Sequence, residues 1–197
     1  MIREGTANDI SRLAEIHLAS LQGDLLPRLG RVFLEKRFYP SVLTSSNALL
    51  LVDEDECSLN SYVVFAYNSG KFVEDITSHK ISIGLSILRK LLSDPSVLLQ
   101  VIAAMRSNIV LTTQVDHLER QPELYLMATD PRYQSTGIGS RLVQDGIERL
   151  RQAGYQSCWV RTSSDRAKQF YQRLGFEVIG KEFRGQRLLH LLYTEMK

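Results

Sequence analysis

The chain has 197 residues and a formal net charge of +2, so it can form one domain with a substantial core. Its apolar fraction of 44% and charged fraction of 23% are those of an ordinary soluble globular protein. The charges are too dispersed to indicate nucleic-acid binding, and charged residues interrupt the longest apolar region, 81–111, so we expect no membrane span. The N-terminus lacks the apolar core of a signal peptide, and Cys57 and Cys158 lack a metal-ligand spacing, which favours a cytoplasmic protein without a metal site or disulfide framework.

The first third of the chain predicts a strand, two helices and a pair of strands. Apolar residues recur at helical spacing after a short first strand, and a second helical pattern lies ahead of Pro40. Two apolar, β-branched runs then flank an acidic turn at 53–56, which is the pattern of a hairpin. The predicted bounds are 2–4, 48–52 and 61–67 for the strands, and 8–18 and 30–38 for the helices.

The rest of the chain predicts a helical insertion followed by alternating strands and helices. Residues 79–109 predict one or two helices that break near Pro95, since proline resists the interior of a helix. Further helices are predicted at 138–152 and 164–174, each closed by a glycine. The remaining strands are predicted at 124–129, 155–161, 176–183 and 188–195. Without a repeat or a linker, this order predicts one α/β domain over 1–197 with a mixed sheet.

The stretch from Gln134 to Leu142 joins a predicted strand to a predicted helix and contains Gly137 and Gly139. It lacks the Gly-Lys-Ser/Thr of a nucleoside-triphosphate loop and the third small residue of a dinucleotide-binding loop. A helix N-terminus still offers free N–H groups and a positive dipole, and glycines let an anion reach them. Residues 128–197 also carry 12 basic and 7 acidic residues. The pattern therefore fits phosphate binding, and a tight turn with solvated surface charge is the alternative interpretation.

A second pattern follows one strand later, with Ser164, Ala167, Phe170 and Tyr171 at helical steps before Gly175. In this order and spacing the two patterns resemble those of the GCN5-related N-acetyltransferase (GNAT) superfamily, whose members use acetyl-CoA. The first strand and helix are also similar to the family's, so the resemblance covers the whole chain in layout. It implies a single GNAT-like α/β domain with a mixed, mostly antiparallel central sheet, flanked by helices and carrying a helical insertion.

The resemblance also implies where acetyl-CoA binds, without a metal. Backbone N–H groups of the glycine loop would hold the pyrophosphate, and the pantetheine arm would lie between the strands at 124–129 and 155–161. A main-chain N–H on the first of these strands would polarise the thioester carbonyl. Position 164 departs from the family, which usually has asparagine there. The cofactor-binding residues implied in this way are Met127, Ala128, Thr129, Gln134, Ser135, Thr136, Gly137, Ile138, Gly139, Ser140, Ser164, Ala167 and Phe170.

Tyr171 resembles the family's general acid. A phenol with a pKa of about 10 stays protonated at neutral pH and can serve a thiolate whose parent thiol has a pKa of about 8.5. The apolar stripe that Tyr171 shares with Ala167 and Phe170 would by itself favour a core role. The complete motif favours the catalytic interpretation.

Glu123 stands eleven residues before Gln134, at the offset where histone-acetylating members of the superfamily carry a general base. Strand alternation predicts that the odd-numbered positions from 123 to 129 share one face. A solvated glutamate is an equally weighted interpretation, and His117 is an alternative base with a suitable intrinsic pKa. His190 is interpreted as a satisfied core histidine.

The acceptor is the part of the reaction that the motifs do not define. Residues 70–120, a longer insertion than a minimal family member needs, resemble inserts in bacterial family members associated with surface polysaccharides. We expect a small-molecule primary amine as the acceptor, with an amino sugar as the specific hypothesis. The insertion could cover the sheet, roof an acceptor pocket or form a homodimer contact, with core packing as the default. Two other functions stay open: acetylation of a protein N-terminus or lysine, and noncatalytic sensing of acyl-CoA.

Overall fold

A single sheet forms the centre of the computed structural model, which describes residues 1–22, 25–56, 58–77, 118, 120–184 and 187–196. Its strands are β1 (Ile2–Glu4), β2 (Ala48–Glu54), β3 (Leu59–Ala66), β4 (Glu123–Thr129), β5 (Ser157–Thr162), β6 (Glu177–Arg184) and β7 (Arg187–Glu195). They lie in the order β1-β2-β3-β4-β5-β7-β6. β4 and β5 are parallel, and the other neighbouring pairs are antiparallel.

Helices pack on both faces of this sheet. Their bounds are α1 (Ile10–Ser20), α2 (Leu25–Arg28), α3 (Arg31–Phe33), α4 (Tyr39–Thr44), α5 (Ser69–Thr77), α6 (Ile138–Gln152) and α7 (Asp165–Arg173). One core joins the sheet to α1 and α4, with Leu13 and Val64 fully buried. A second core joins it to α6 and α7, with Phe65 and Leu142 fully buried.

The predicted α/β class, with a mixed and mostly antiparallel sheet flanked by helices, is confirmed. The predicted helical insertion at 79–109 lies outside the described residues, and the domain bounds 1–197 stay a prediction. The helical segment predicted to end before Pro40 instead continues, because a π-helical turn (Leu34–Phe38) leads directly into α4. Pro40 is the second residue of α4 and directly follows this turn, in which the Tyr39 N–H donates to the Leu34 carbonyl.

A β-bulge in β4 overturns the predicted alternation of its side chains. The register with β3 shifts between Val64 and Phe65, which leaves Tyr125 outside the regular pairing. One extra residue inverts the order of faces beyond it. Glu123 and Tyr125 contact residues of α5, whereas Met127 packs in the core under α6. The prediction of one shared face is therefore wrong.

Candidate active site

A cavity of about 530 Å³ lies between β4, the N-terminus of α6 and α7. All of the predicted cofactor-binding residues except Thr136 and Ile138 line it, and so does Tyr171. The structure thus brings together two motifs that are separated by a strand in the sequence. The lining residues are Ser20, Leu21, Met127, Ala128, Thr129, Tyr133, Gln134, Ser135, Gly137, Gly139, Ser140, Ser164, Arg166, Ala167, Phe170, Tyr171 and Arg173.

The loop before α6 carries two residues with left-handed backbone conformations, Ser135 with φ 65° and Gly137 with φ 85°. The Arg141 N–H donates to the Gly137 carbonyl, so the N–H groups of residues 138–140 have no partner within the helix. α6 is 15 residues long, and the positive end of its dipole lies at this loop. The main chain here can therefore hold an anion without help from a side chain.

The two glycines of this loop have different physical roles. A Cβ on Gly139 would lie 2.4 Å from Met127 Cε, the flexible end of that side chain, and 3.6 Å from Thr129 Oγ1, so Gly139 lies close against these two side chains of β4. A Cβ on Gly137 would meet no atom within 4 Å. Gly137 instead supplies the left-handed backbone that turns the chain into the helix.

β4 and β5 pair at only two positions, Glu123 with Trp159 and Leu124 with Val160. We call the point where they then separate the fork. It lies beside the cavity, because Met127, Ala128 and Thr129 follow it on β4 and line that cavity. The predicted splay of these two strands is present.

The ladder between β3 and β4 determines which main-chain groups face the gap beyond the fork. The Asp130 N–H donates to the Asn60 carbonyl. Because hydrogen-bonded pairs alternate along an antiparallel ladder, the main-chain groups of Met127 and Thr129 point away from β3. The Thr129 carbonyl accepts hydrogen bonds from Ser20 Oγ at 2.8 Å and Gln134 Nε2 at 3.2 Å. Met127 thus presents a main-chain donor and acceptor to the gap.

Tyr171 belongs to the second core and also lines the cavity. Its ring centroid lies 5.1 Å from that of Phe170 and 5.6 Å from that of Phe176, and the residue is 7% exposed. None of the hydrogen bonds among the described residues uses its hydroxyl. Burial, with a smaller contribution from the neighbouring Cys158, raises the pKa of Tyr171 above its ordinary value. The phenol is therefore a protonated donor throughout the neutral pH range.

α7 adds a cap and two positive charges to the cavity wall. Ser164 Oγ accepts a hydrogen bond from the Ala167 N–H at 3.2 Å and so caps the start of α7. Arg166 and Arg173 are the charged side chains among the lining residues, and they give the cavity a positive potential. Neither arginine was predicted. Their helical spacing from Phe170 is the signal that could have found them.

Glu123 lies apart from the lining residues, in a buried ion pair. Its Oε1 lies 2.7 Å from Arg161 Nε and its Oε2 lies 3.0 Å from Arg161 Nη2. Ser69 Oγ donates to the same carboxylate at 2.5 Å, and Glu123 is 1% exposed. The residue is therefore not solvated, and the role of general base stays a prediction.

The two histidines considered in the sequence have different outcomes. His117 lies outside the described residues, so its role as an alternative base is not tested. His190 Nδ1 is buried without a hydrogen-bond partner in the described part of the chain, and its Nε2 lies 3.6 Å from Asp165 Oδ1. The interpretation of His190 as a fully satisfied core histidine is therefore wrong.

Neither a metal-binding cluster nor a membrane-spanning helix is found in the described ranges. No group of three or more His, Cys, Asp or Glu side chains there could hold a metal ion. No helix there is long and apolar enough to cross a membrane.

Comparison with known proteins provides an independent line of evidence. Residues 92–197 match the family model of the acetyltransferase (GNAT) domain. A sequence comparison with curated proteins finds no match.

Solved structures of similar fold include three N-acetyltransferases, each aligned over 100% of this chain. The Drosophila melanogaster polyamine N-acetyltransferase is 18% identical, with 99% of its own chain covered and a TM-score of 0.63. The Escherichia coli ribosomal-protein-S18-alanine N-acetyltransferase is 13% identical, with 94% covered and a TM-score of 0.60. The Thermoplasma acidophilum PaiA N-acetyltransferase, solved with coenzyme A, is 11% identical, with 98% covered and a TM-score of 0.61. At these identities the likeness shows a shared fold.

Proposed function

We propose, because the chain belongs to the GNAT acetyltransferase family, that it transfers an acetyl group from acetyl-CoA to a primary amine of a small molecule. The observation that carries this proposal is the cavity at the N-terminus of α6, whose charged lining residues are both arginines. The helix dipole, the free N–H groups and the arginines all favour a ligand that carries phosphate groups. Acetyl-CoA is such a ligand.

The residues present fit the co-substrate along the length of the cavity. The backbone of residues 134–140 would hold the pyrophosphate, and Arg166 and Arg173 would add positive charge beside it. The Met127 main chain would bond the pantetheine arm in the gap beyond the fork, as a neighbouring strand would. Ser164, Ala167 and Phe170 would form the opposite wall. Acetyl-CoA supplies the acetyl group already activated as a thioester.

The side chains then have defined tasks in a direct transfer. The acceptor nitrogen forms a bond to the carbonyl carbon, the bond from that carbon to sulfur breaks, and sulfur takes a proton. Tyr171, which lines the cavity, would provide this proton from its hydroxyl, which burial keeps protonated. The Met127 N–H would stabilise the charge that develops on the carbonyl oxygen. The proton of the amine would leave to a base for which Glu123, His117 and water are the candidates.

The acceptor class has a limited set of alternatives. Structures of similar fold include a polyamine N-acetyltransferase and an agmatine N-acetyltransferase, which supports a small amine. Another is a ribosomal-protein-alanine N-acetyltransferase, which keeps a protein N-terminus as the second candidate. An amino sugar remains our specific hypothesis within the first class. A noncatalytic acyl-CoA sensor would bind acetyl-CoA in the same cavity without turnover.

An acceptor screen distinguishes these functions. The protein would be incubated with acetyl-CoA and one amine at a time (agmatine, a polyamine, amino sugars, or peptides with a free N-terminus or lysine) while free thiol is followed. We expect steady thiol release with at least one small amine. Release with peptides alone would favour the protein acetyltransferase, and acetyl-CoA binding without release for any amine would favour the sensor.

Gly137→Val tests the predicted phosphate site directly. A branched side chain at the left-handed turn would obstruct the approach to the α6 N-terminus, so we expect acetyl-CoA affinity to fall by at least about tenfold in calorimetry. Gly154→Val is the matched control, because Gly154 lies beyond the other end of α6 with φ 90° and open space around its Cβ position. It introduces the same backbone strain away from the cavity. Equal affinities in the two folded variants would contradict the proposed site.

A further inference from the structure

The fork between β4 and β5 is joined by one ion pair. Glu123 occupies the first of the two positions at which β4 pairs with β5, and Arg161 is the first residue of β5 beyond them. The two hydrogen bonds of 2.7 and 3.0 Å therefore cross the point where the strands separate. A bidentate contact of this kind sets the orientation of both groups as well as their distance.

The surroundings of this pair hold it rigidly. Arg161 Nη1 lies 3.4 Å from Glu182 Oε1 on β6, so the guanidinium connects β4, β5 and β6 on one face of the sheet. The same guanidinium lies 4.8 Å from the centre of the Trp159 ring. Burial alone would lower the pKa of Arg161, but the charges of Glu123 and Glu182 outweigh it and raise that pKa above its ordinary value. The cation is therefore permanent, and Ser69 occupies the remaining side of the Glu123 carboxylate.

We propose that Glu123 and Arg161 are positioning residues that set the width of the gap beyond the fork, an inference that rests on the proposed acetyltransferase function. Met127 lies on β4 and Tyr171 follows β5, so the carbonyl-polarising N–H and the proton-donating phenol lie on opposite sides of the fork. A change in the angle between the strands moves one group relative to the other. Small errors of this kind reduce catalysis strongly, because the reacting groups must keep their alignment.

The geometry favours this role over proton abstraction by Glu123. A general base must reach the acceptor nitrogen directly or through one water. Both oxygens of Glu123 are already engaged, by Arg161 and by Ser69, and the residue lies outside the set that lines the cavity. Its charge thus acts through Arg161.

Glu123→Gln, Arg161→Lys and the double variant form the test. Each single change weakens the bidentate contact while keeping a polar group of similar length. We expect both to lower kcat by a similar factor, roughly 10-fold to 100-fold. The double variant should be no slower than the slower single variant, since the two residues act as one unit. In Glu123→Gln the acidic limb of the pH–rate profile should stay at the wild-type pH.

Trp159 supplies a readout that does not depend on turnover. It is the single tryptophan of the chain and is fully buried against Arg161. Its fluorescence emission should shift in both single variants without any ligand. Glu54→Gln is the matched control, because Glu54 forms a similar bidentate pair with Arg3 between β1 and β2, with distances of 2.6 and 2.8 Å. That variant should keep wild-type emission and kcat.

Two results would overturn the inference. Loss of the acidic limb in Glu123→Gln, together with a near-normal rate in Arg161→Lys, would make Glu123 the base. Wild-type kcat and emission in both variants would leave the pair without a positioning role.

If both variants fail to fold, Ser69→Ala replaces them, because it removes one hydrogen bond to Glu123 and keeps the ion pair. It should shift the emission and lower kcat by a smaller factor, and no change in either would also overturn the inference. Failure of the wild type to bind acetyl-CoA would instead reject the proposed function, while the emission of the variants would still report on the fork.

Discussion

At the scale of single residues, the environment of Tyr171 differs from that of a solvated tyrosine, because the residue is buried. Tyr171 belongs to the second core and also lines the cavity, and its ring packs against Phe170 and Phe176. Such a position can serve packing alone or packing together with catalysis. The two roles predict different consequences for the loss of one oxygen atom.

Tyr171→Phe separates these roles. The ring is retained, so we expect the melting temperature to change little, while turnover falls by roughly 10²-fold or more. Acetyl-CoA affinity should hardly change, because the hydroxyl matters most when charge develops on sulfur. Since burial raises the pKa of Tyr171, the phenol is protonated at neutral and mildly basic pH alike. The ratio of wild-type to variant rates should therefore stay constant between about pH 7 and pH 9.

Tyr155→Phe is the control for this change. Tyr155 stacks on Tyr67 with centroids 5.6 Å apart and is not among the residues that line the cavity. Removing its hydroxyl should leave turnover within about twofold of wild type. A core role for Tyr171 would be supported if Tyr171→Phe behaved in the same way while chemistry was shown to be rate-limiting.

At the scale of the elements, α6 approaches the sheet closely at Gly146. A Cβ on Gly146 would lie 2.1 Å from Phe65 Cε2 and 2.7 Å from Phe65 Cζ. Phe65 is a fully buried residue of β3, and its rigid ring cannot move aside cheaply. Glycine at this position lets the helix approach the sheet, and the approach places the N-terminus of α6 beside β4.

Gly146→Ala should therefore destabilise the protein. Alanine favours helix by about 1 kcal/mol over glycine, but overpacking a core costs typically about 1–3 kcal/mol, and the severe overlap with Phe65 makes the second effect the larger. We expect the melting temperature to fall by about 2–4 °C per kcal/mol in thermal unfolding followed by circular dichroism.

Gly70→Ala provides the opposite case within another helix. Gly70 lies near the start of α5, and a Cβ there would have a single ordinary contact, 3.5 Å from Asn68 Oδ1. This variant should be neutral or slightly stabilising. A melting temperature for Gly146→Ala equal to or above that of Gly70→Ala would mean that the α6 contact with β3 can relax.

Across the whole molecule, a buried polar cluster connects helices to the sheet in the first core. His17 of α1 bonds through Nδ1 to Tyr39 Oη at 2.8 Å, and Tyr39 Oη bonds to Tyr62 Oη of β3 at 2.7 Å. His17 is 1% exposed, and its Nε2 has no hydrogen-bond partner among the described residues. Burial lowers the pKa of His17 to about 4. Folding therefore excludes a proton that the unfolded chain binds.

The sign of the resulting pH dependence follows from the two pKa values. An unfolded histidine has a pKa of about 6.5, so stability should decrease as the pH falls from about 6.5 to about 4. Through His17, the free energy of unfolding should fall by about 3 kcal/mol over this range, because each pH unit between the two pKa values corresponds to about 1.36 kcal/mol. Urea unfolding at several pH values measures it. His17→Asn keeps a polar atom near the Nδ1 position without titrating, and its stability should vary less over this range. An equal slope in the two proteins would contradict the assignment.

The sequence by itself determined those parts of the molecule that are encoded over one helix turn or one loop. The glycine loop and the stripe of Ala167 and Phe170 could be predicted because helix starts and helical spacing are local patterns. Through the family resemblance that they carry, these patterns implied the fold class and most of the residues that line the cavity.

The tertiary structure alone decided how distant segments meet. The bulge at Tyr125 depends on the register of β4 with β3. It places the Glu123 side chain on the opposite face of the sheet from the Met127 side chain. Arg161 lies 38 residues from Glu123, and Ser20 lies 109 residues from Thr129, so no local pattern records either contact. Strand register and helix docking are determined by packing across the whole core, because each apolar segment alone could pair with several partners. The sequence therefore indicated the glycine loop and the α7 residues that line the cavity. Tertiary packing determined where the charged side chains around them lie.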